Sequence, residues 1–124
     1  MALSSRSGPG QGAAAEAAAL AFLEARGFAA VARNWRCRQG EIDLVLHQGN
    51  LLVFAEVRLR NRDDFGGAAG SVTPAKQRKI VASAGAFLQH HPEFSGCDCR
   101  FDVLALRAGP AAWQVRWLPA AFTT

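Results

Sequence analysis

Hydrophobic and polar residues alternate most regularly over residues 40–60, on either side of Gly49-Asn50. An alternation with a period of two is typical of a half-buried β-strand, and a leading glycine suits a type II′ hairpin turn. The pattern therefore predicts two antiparallel strands, residues 40–47 and 51–60, joined by this two-residue turn.

Two other segments have the features of helices. The Ala-rich run AAAEAAALAFLEARG closes on Gly27, and glycine is common just after a helix end. In TPAKQRKIVASAGAFLQHH, Thr73 suits the N-cap and Pro74 the first helical position. An apolar stripe at helical spacing follows them, formed by Ile80, Ala84, Phe87 and Leu88. The segments VARNWRC, CRFDVLAL and WQVRWL are predicted as further strands.

These elements fit one α/β domain over residues 13–124, preceded by a flexible segment, residues 1–12. No apolar run approaches the ~18 to 20 residues of a membrane span, and residues 1–12 lack the apolar core of a signal peptide. Three cysteines, two of them in a Cys-x-Cys pair, favour reduced thiols over a disulfide. We therefore expect a cytoplasmic protein.

The charge balance permits a polyanionic partner such as nucleic acid. Fourteen basic and ten acidic residues give a formal charge of +4. Twelve of the fourteen cations are arginine, whose rigid fork matches phosphate oxygens, although a surplus of Ala, Gly and Arg is also what coding bias produces. The composition alone favours nucleic acid only mildly.

The acidic residues of the predicted hairpin point to a more specific chemistry. Counting back from the turn, we expect Asp43 opposite Glu56 and Glu41 opposite Arg58. Two facing carboxylates repel each other unless a positive charge lies between them. Mg²⁺ is often held by one or two carboxylates completed by water and phosphate oxygens. The alternative is a buried Asp-Glu-Arg cluster that only fixes the strand register.

An ordered series of motifs carries a family resemblance. Gly-Glu-Ile-Asp-Leu from residue 40 is followed by a short hairpin, by Glu-Val-Arg-x-Arg, and then by Phe-Gly, Ser-Val-Thr-x-x-Lys and Arg-Phe-Asp-Val. Over roughly residues 16–122 the chain resembles the YraN-like family of small bacterial proteins. That family has the restriction-endonuclease-like, or PD-(D/E)XK, fold and is similar to archaeal Holliday junction resolvases.

The resemblance implies a central mixed β-sheet flanked by helices and a site that hydrolyses phosphodiesters with Mg²⁺ or Mn²⁺. Asp43 and Glu56 would bind the metal, and Glu16 would match the helix-one glutamate of the resolvases. Arg58 stands where the motif of the superfamily has lysine. The implied partner is nucleic acid, in the first place DNA, with branched and flapped structures among the candidate substrates. A homodimer would supply the two sites that paired cuts across a junction need.

Arg58 leaves two function classes open besides the nuclease. A guanidinium stays protonated, so Arg58 can hold a phosphate or stabilise charge but is not suited to act as a base. A catalytically silent DNA- or RNA-binding module with the same fold is therefore the main alternative. A protein-interaction scaffold that does not bind nucleic acid is the third.

Glu16 is a candidate site residue independently of the resemblance. At helical spacing it lies above Leu20 and Leu23, on the stripe expected to face the sheet. The alternative is a solvated carboxylate that the dipole of the helix favours in its first turns.

The predicted second helix begins with Lys76, Arg78 and Lys79, where the helix dipole disfavours cations. A nucleic-acid phosphate would reverse that penalty, assisted by the preceding FGGAAG loop. We expect Lys76 nearest the carboxylates, because it lies four residues before Ile80 on the core-facing stripe. With Arg58 and Arg60, these cations form the predicted nucleic-acid-binding set; the alternative is a solvated basic surface.

Three weaker candidates lie towards the C-terminus. His90, His91, Cys97 and Cys99 could in principle bind zinc, but their spacing matches no familiar zinc motif. Asp102 is expected to pair with an arginine in a structural role. The same-face residues Trp113 and Trp117 could stack on bases, although a core or dimer contact is the favoured interpretation.

Overall fold

The computed structural model describes residues 11–60 and 72–124. The elements follow in the order α1 (Gln11–Glu24), β1 (Ala29–Cys37), β2 (Gly40–Gln48), β3 (Leu51–Leu59), α2 (Pro74–His90), a 3-10 turn (Pro92–Phe94), β4 (Asp98–Ala108) and β5 (Trp113–Phe122). Both predicted helices and all five predicted strands are therefore present.

The five strands form one mixed sheet in the order β1-β2-β3-β4-β5. The pairs β1–β2, β2–β3 and β4–β5 are antiparallel, whereas β3 and β4 are parallel, with α2 in the connection between them. A parallel pair needs such a long crossover, because a short turn can only reverse the chain. The result is an α/β fold consistent with the restriction-endonuclease-like class.

The two helices cover opposite faces of the sheet. Ala15, Ala19 and Leu23 of α1 pack against apolar side chains of β2, β3 and β4, whereas α2 covers the other face with Ile80, Ala84 and Phe87. None of the described helices has the length and apolar character required to cross a membrane.

Local sequence signals set where the helices begin and end. After α1, the N–H groups of Gly27 and Phe28 donate to Glu24 O and Leu23 O, and Gly27 has φ +95°. This is a Schellman motif, in which glycine takes a left-handed conformation that a Cβ would strain. At the start of α2, Thr73 Oγ1 accepts the N–H of Lys76 at 3.1 Å, as the sequence predicted.

The β2–β3 hairpin has the predicted turn and register. His47 pairs with Leu52, and Gly49 has φ +58° whereas Asn50 does not have a positive φ, as a type II′ turn requires. The regular ladder ends at the pair Leu44–Ala55, one pair before Asp43 and Glu56.

The predicted faces of β2 are correct from Leu44 to Leu46 but wrong before Asp43. We expected Ile42, Leu44 and Leu46 on the same face, but Ile42 packs in the core under α2 and the two leucines pack under α1. Asp43 lies between them, and its carboxylate accepts the backbone N–H of Val57. The side chain thus takes a hydrogen bond of the ladder, and the alternation of β2 changes phase at this point.

Candidate metal and nucleic-acid site

A cleft of about 340 Å³ lies at the end of the sheet where the β2–β3 ladder stops. Its walls come from the start of α1, the first half of β2 and the end of β3. It is lined by Gly12, Ala15, Glu16, Glu41, Asp43, Glu56, Val57, Arg58 and Leu59. The fold thus brings four carboxyl groups and one guanidinium to one small opening.

Asp43 is the most perturbed group of this cleft. Its Oδ2 accepts the N–H of Val57 at 2.9 Å. Burial is the largest cause that raises the pKa of Asp43, followed by the nearby charge of Glu56, while Glu16 and Glu41 add smaller contributions. These effects outweigh the hydrogen bond from Val57 and raise the pKa to about 8. Without a counter-cation, burial and the neighbouring charges therefore favour the protonated form of Asp43.

Glu56 is 5% exposed and is neutralised from two elements. Arg58, two residues further along β3, donates from Nη1 to Glu56 Oε2 at 3.1 Å. Lys76, in the first turn of α2, places Nζ 3.6 Å from the same oxygen. The predicted proximity of Lys76 to the carboxylates is therefore confirmed, and Arg58 lies beside Glu56 as expected.

Glu16 lies on the sheet-facing side of α1 and is 8% exposed, as its helical position predicted. Its Oε1 accepts a hydrogen bond from Asn34 Nδ2 of β1 at 3.0 Å. Sequence reasoning missed Asn34, which has φ +49° inside a strand. Asparagine tolerates this left-handed conformation better than most residues, so an Asn within a strand pattern was the available signal.

Glu41 is held at the rim by the neighbouring strand. Arg36 of β1 lies opposite it in the register, with Nε 3.4 Å from Glu41 Oε1. The expected pairing of Glu41 with Arg58 is not part of the regular ladder, which stops at Leu44.

The other predicted cations are distributed over different surfaces. Arg60 follows β3 and does not line the cleft; its Nη1 donates to Leu59 O. Arg78 and Lys79 are exposed on α2, and Arg78 borders a separate groove that includes Thr123 and Thr124. The predicted phosphate-binding loop, residues 65–70, lies outside the described residues, as do the Phe-Gly motif and Ser71.

The C-terminal candidates have structural contacts. Asp102 accepts two hydrogen bonds from Arg100, which confirms the predicted arginine pair. Trp117 makes edge contacts with Phe22 and Phe28, and Trp113 packs against the α1 side of the core. The tryptophans therefore make core contacts, one of the two structural uses that the sequence favoured over base stacking.

The histidines and cysteines of the same region have ordinary local contacts. His90 and His91 each place Nδ1 2.9 Å from a backbone oxygen of α2, and Cys37, Cys97 and Cys99 are all free thiols.

Comparison with known proteins identifies the family. The family described as "Uncharacterised protein family UPF0102" matches residues 15–106. The chain belongs to this family. A UPF0102 protein of Pseudomonas putida is 45% identical over 112 residues, covering 90% of this chain and 91% of that protein. A UPF0102 protein of Ralstonia nicotianae is 50% identical over 107 residues, covering 83% and 82% of the two chains. UPF0102 is the YraN-like family that the motifs indicated.

The donor groups of this UPF0102 cleft suit a hard divalent cation. All of them are carboxylate oxygens, the ligands that Mg²⁺ prefers. Burial and then the charge of Glu56 raise the pKa of Asp43, and a cation bound there would offset both effects. No three His, Cys, Asp or Glu side chains of residues 11–60 and 72–124 form a ready-made metal cluster. The fit is therefore to two carboxylates, Asp43 and Glu56, completed by water and phosphate oxygens.

Proposed function

We propose that this UPF0102 protein binds nucleic acid and hydrolyses phosphodiesters in DNA with a divalent cation, Mg²⁺ or Mn²⁺. The observation that carries the proposal is the meeting of four carboxyl groups and Arg58 in one cleft, where burial and then the charge of Glu56 raise the pKa of Asp43 to about 8. The protein has a formal charge of +4, yet four of its carboxyl groups line this cleft. Carboxyl groups with strongly shifted pKa values in a cleft are typical of functional sites.

The residues divide into three roles. Asp43 and Glu56 would hold the cation, which when bound lowers the pKa of water and offsets charge on the phosphoryl oxygens. Arg58 stays protonated and is 29% exposed at its side chain, so it can meet a phosphate at the mouth of the cleft. Glu16, held by Asn34, is the auxiliary carboxylate on the opposite wall.

The basic residues outside the cleft are suited to contact the phosphate backbone of a nucleic-acid substrate. Lys76, Arg78 and Lys79 are exposed in the first turns of α2, where the helix dipole also favours an anion. DNA with a branch or flap is the substrate class that the family resemblance suggests, and a homodimer would allow paired cuts.

A cleavage assay tests the proposal. Single-stranded, duplex, flapped and four-way DNA are incubated with Mg²⁺ or Mn²⁺ and the wild type, Asp43→Asn or Glu56→Gln. We expect cleavage of at least one substrate by the wild type and a loss of about 100-fold or more in each variant. Cleavage that persists in both variants would show that the site is wrong.

One observation favours a second candidate, a catalytically silent DNA- or RNA-binding module. Arg58 and Lys76 already neutralise Glu56 without any metal, and residue 58 is not the lysine of the superfamily motif. Binding without cleavage of any substrate would support this candidate. Arg58→Lys would then reveal whether lysine alone was missing.

A further inference from the structure

Lys76 has an unusual position for an exposed lysine. Its side chain is 44% exposed, yet its Nζ reaches over the end of the sheet to Glu56 Oε2, which is almost fully buried. The backbone of Lys76 is anchored by its hydrogen bond to Thr73 Oγ1. The first turn of α2 thus holds a flexible cation at the same carboxylate that the proposed function assigns to a metal.

The two cations at Glu56 differ in how easily they can leave it. Arg58 comes from the same strand as Glu56 and donates at 3.1 Å, and its Nε is buried without a partner in the described chain. The Lys76 contact is longer, at 3.6 Å, which makes it an ion pair rather than a close hydrogen bond. A half-exposed ion pair is weak, and the lysine stem is flexible. Lys76 is therefore the exchangeable partner.

We propose that Lys76 is a counter-ion that a divalent cation displaces from Glu56 and that then turns to a phosphate of the bound nucleic acid. The inference rests on the proposed function, because it needs both a cation at Glu56 and a phosphate at the cleft. Lys76 acts here as a positioning residue that couples the two ligands. Since such coupling is reciprocal, each ligand raises the affinity for the other through the same side chain.

Metal titration without nucleic acid tests the first half. Mn²⁺ binding is measured by calorimetry for the wild type, Lys76→Met and Lys79→Met. Lys79 is the matched control, because it is an exposed lysine of the same helix that forms no ion pair within the described chain. We expect Lys76→Met to bind Mn²⁺ about five- to tenfold more tightly, since a nearby like charge is removed, and Lys79→Met to stay within about twofold.

Two further variants exclude indirect effects. Lys76→Arg keeps the charge and should bind Mn²⁺ like the wild type. In the background of Glu56→Gln, removal of Lys76 should no longer tighten Mn²⁺ binding. Thermal unfolding of each variant checks that it is folded.

The outcomes separate this inference from the proposed function. Equal Mn²⁺ affinity of the wild type and Lys76→Met would overturn the role of Lys76 and leave the metal site intact. Absence of Mn²⁺ binding in all variants, including the wild type, would overturn the metal site itself and this inference with it.

Nucleic-acid affinity tests the second half. Fluorescence anisotropy with labelled duplex and four-way DNA is measured in EDTA and in Ca²⁺, an oxygen-seeking cation. Lys76→Met should lose more affinity in Ca²⁺ than in EDTA, because Lys76 is occupied by Glu56 when no cation is present. Lys79→Met should lose DNA affinity by the same factor in EDTA and in Ca²⁺. Equal losses for Lys76→Met in the two conditions, or no binding of either DNA by the wild type, would contradict the transfer of Lys76 to phosphate.

Discussion

At the scale of single residues, Asp43 is the clearest departure from a packed hairpin. Its carboxyl replaces a backbone acceptor for Val57 and sits among three other acidic side chains. Burial and the Glu56 charge raise its pKa from 3.8 to about 8. Between these two pH values the folded protein binds a proton that the unfolded chain has released. Stability without a cation therefore falls as the pH rises through this range.

Asp43→Asn should remove this penalty. An asparagine carbonyl can still accept the Val57 N–H, so without divalent cations we expect the variant to melt about 5 °C above the wild type at pH 8 and near it at pH 4. Thermal unfolding by circular dichroism across this pH range measures the difference. Asp98→Asn, at an exposed carboxylate, is the control and should show no such trend. A difference that stays constant with pH would contradict the assignment.

Cys37 provides a second prediction at this scale. Burial acts to raise the pKa of its thiol, but the nearby Ser83 hydroxyl and the backbone of Gly40 and Gln39 act in the opposite direction and lower the pKa overall. For Cys99, burial and then the neighbouring Cys97 raise the pKa. We therefore expect iodoacetamide to modify Cys37 about threefold faster than Cys99, or more, at pH 7.5.

Peptide mass spectrometry measures both thiols in one sample of folded protein. Ser83→Ala should slow the modification of Cys37 and leave that of Cys99 unchanged. Faster modification of Cys99 in the wild type would show that the polar groups around Cys37 do not favour its thiolate.

The sequence predicted part of the site, and its limits have a physical reason. The predicted hairpin turn placed Asp43 opposite Glu56, and helical spacing placed Glu16 and Lys76 on the inward-facing sides of their predicted helices. Asn34 escaped prediction because its left-handed φ is stabilised by a contact with Glu16 on another element, which no local pattern encodes. The wrong face of Ile42 has a similar cause, since a strand pattern cannot anticipate a side chain that takes a ladder hydrogen bond.

At the scale of elements, periodicity predicted both helices and all strands, but it did not give the order of the sheet. The parallel pairing of β3 and β4 depends on α2 packing across the face opposite α1, which is a tertiary contact. The helix caps were predicted correctly, because Gly27 and Thr73 form their capping hydrogen bonds with residues that are close to them in the sequence. A mixed sheet became an expectation only through the family resemblance, and the order of its strands was not predicted.

Asp102 holds β4 and β5 together where their register shifts. It is 1% exposed and accepts four hydrogen bonds, two from Arg100, one from Trp117 Nε1 and one from the N–H of Ala120. Ala120 has φ +51°, so the carboxylate also supports a strained turn of the chain. A fully satisfied buried carboxylate of this kind is structural rather than reactive.

Asp102→Asn should destabilise the protein by about 2–4 kcal/mol, because an amide nitrogen cannot accept the hydrogen bonds of these buried donors. Trp117→Phe removes one hydrogen-bond donor and keeps most of the ring packing, so we expect the free energy of unfolding to fall by about 1 kcal/mol. Urea unfolding measures both, with Glu93→Gln at an exposed site as the control. A loss below about 0.5 kcal/mol in Asp102→Asn would show that the network contributes little.

At the scale of the whole molecule, charge is divided between an acidic cleft and a basic exterior. The cleft holds four carboxyl groups in a protein whose formal charge is +4. Exposed cations stand beside it in the first turns of α2. A phosphate backbone is therefore attracted to the rim and repelled from the floor unless a cation is bound there. Under the proposed function, this arrangement would tie nucleic-acid binding to the divalent cation without requiring a large basic surface.

The salt dependence of DNA binding tests this division. We expect log K to fall with log salt with a slope of about −2 to −4 in the presence of Ca²⁺, because each phosphate contact contributes about −0.9. Lys79→Met should make the slope less steep by about 0.9, the contribution of one phosphate contact. Arg26→Gln is the control, because Arg26 contacts Gln48 at the opposite end of β2 from the cleft, and its slope should match the wild type. A slope near zero, or an equal change for Arg26→Gln, would indicate that the rim of α2 does not contact the phosphates.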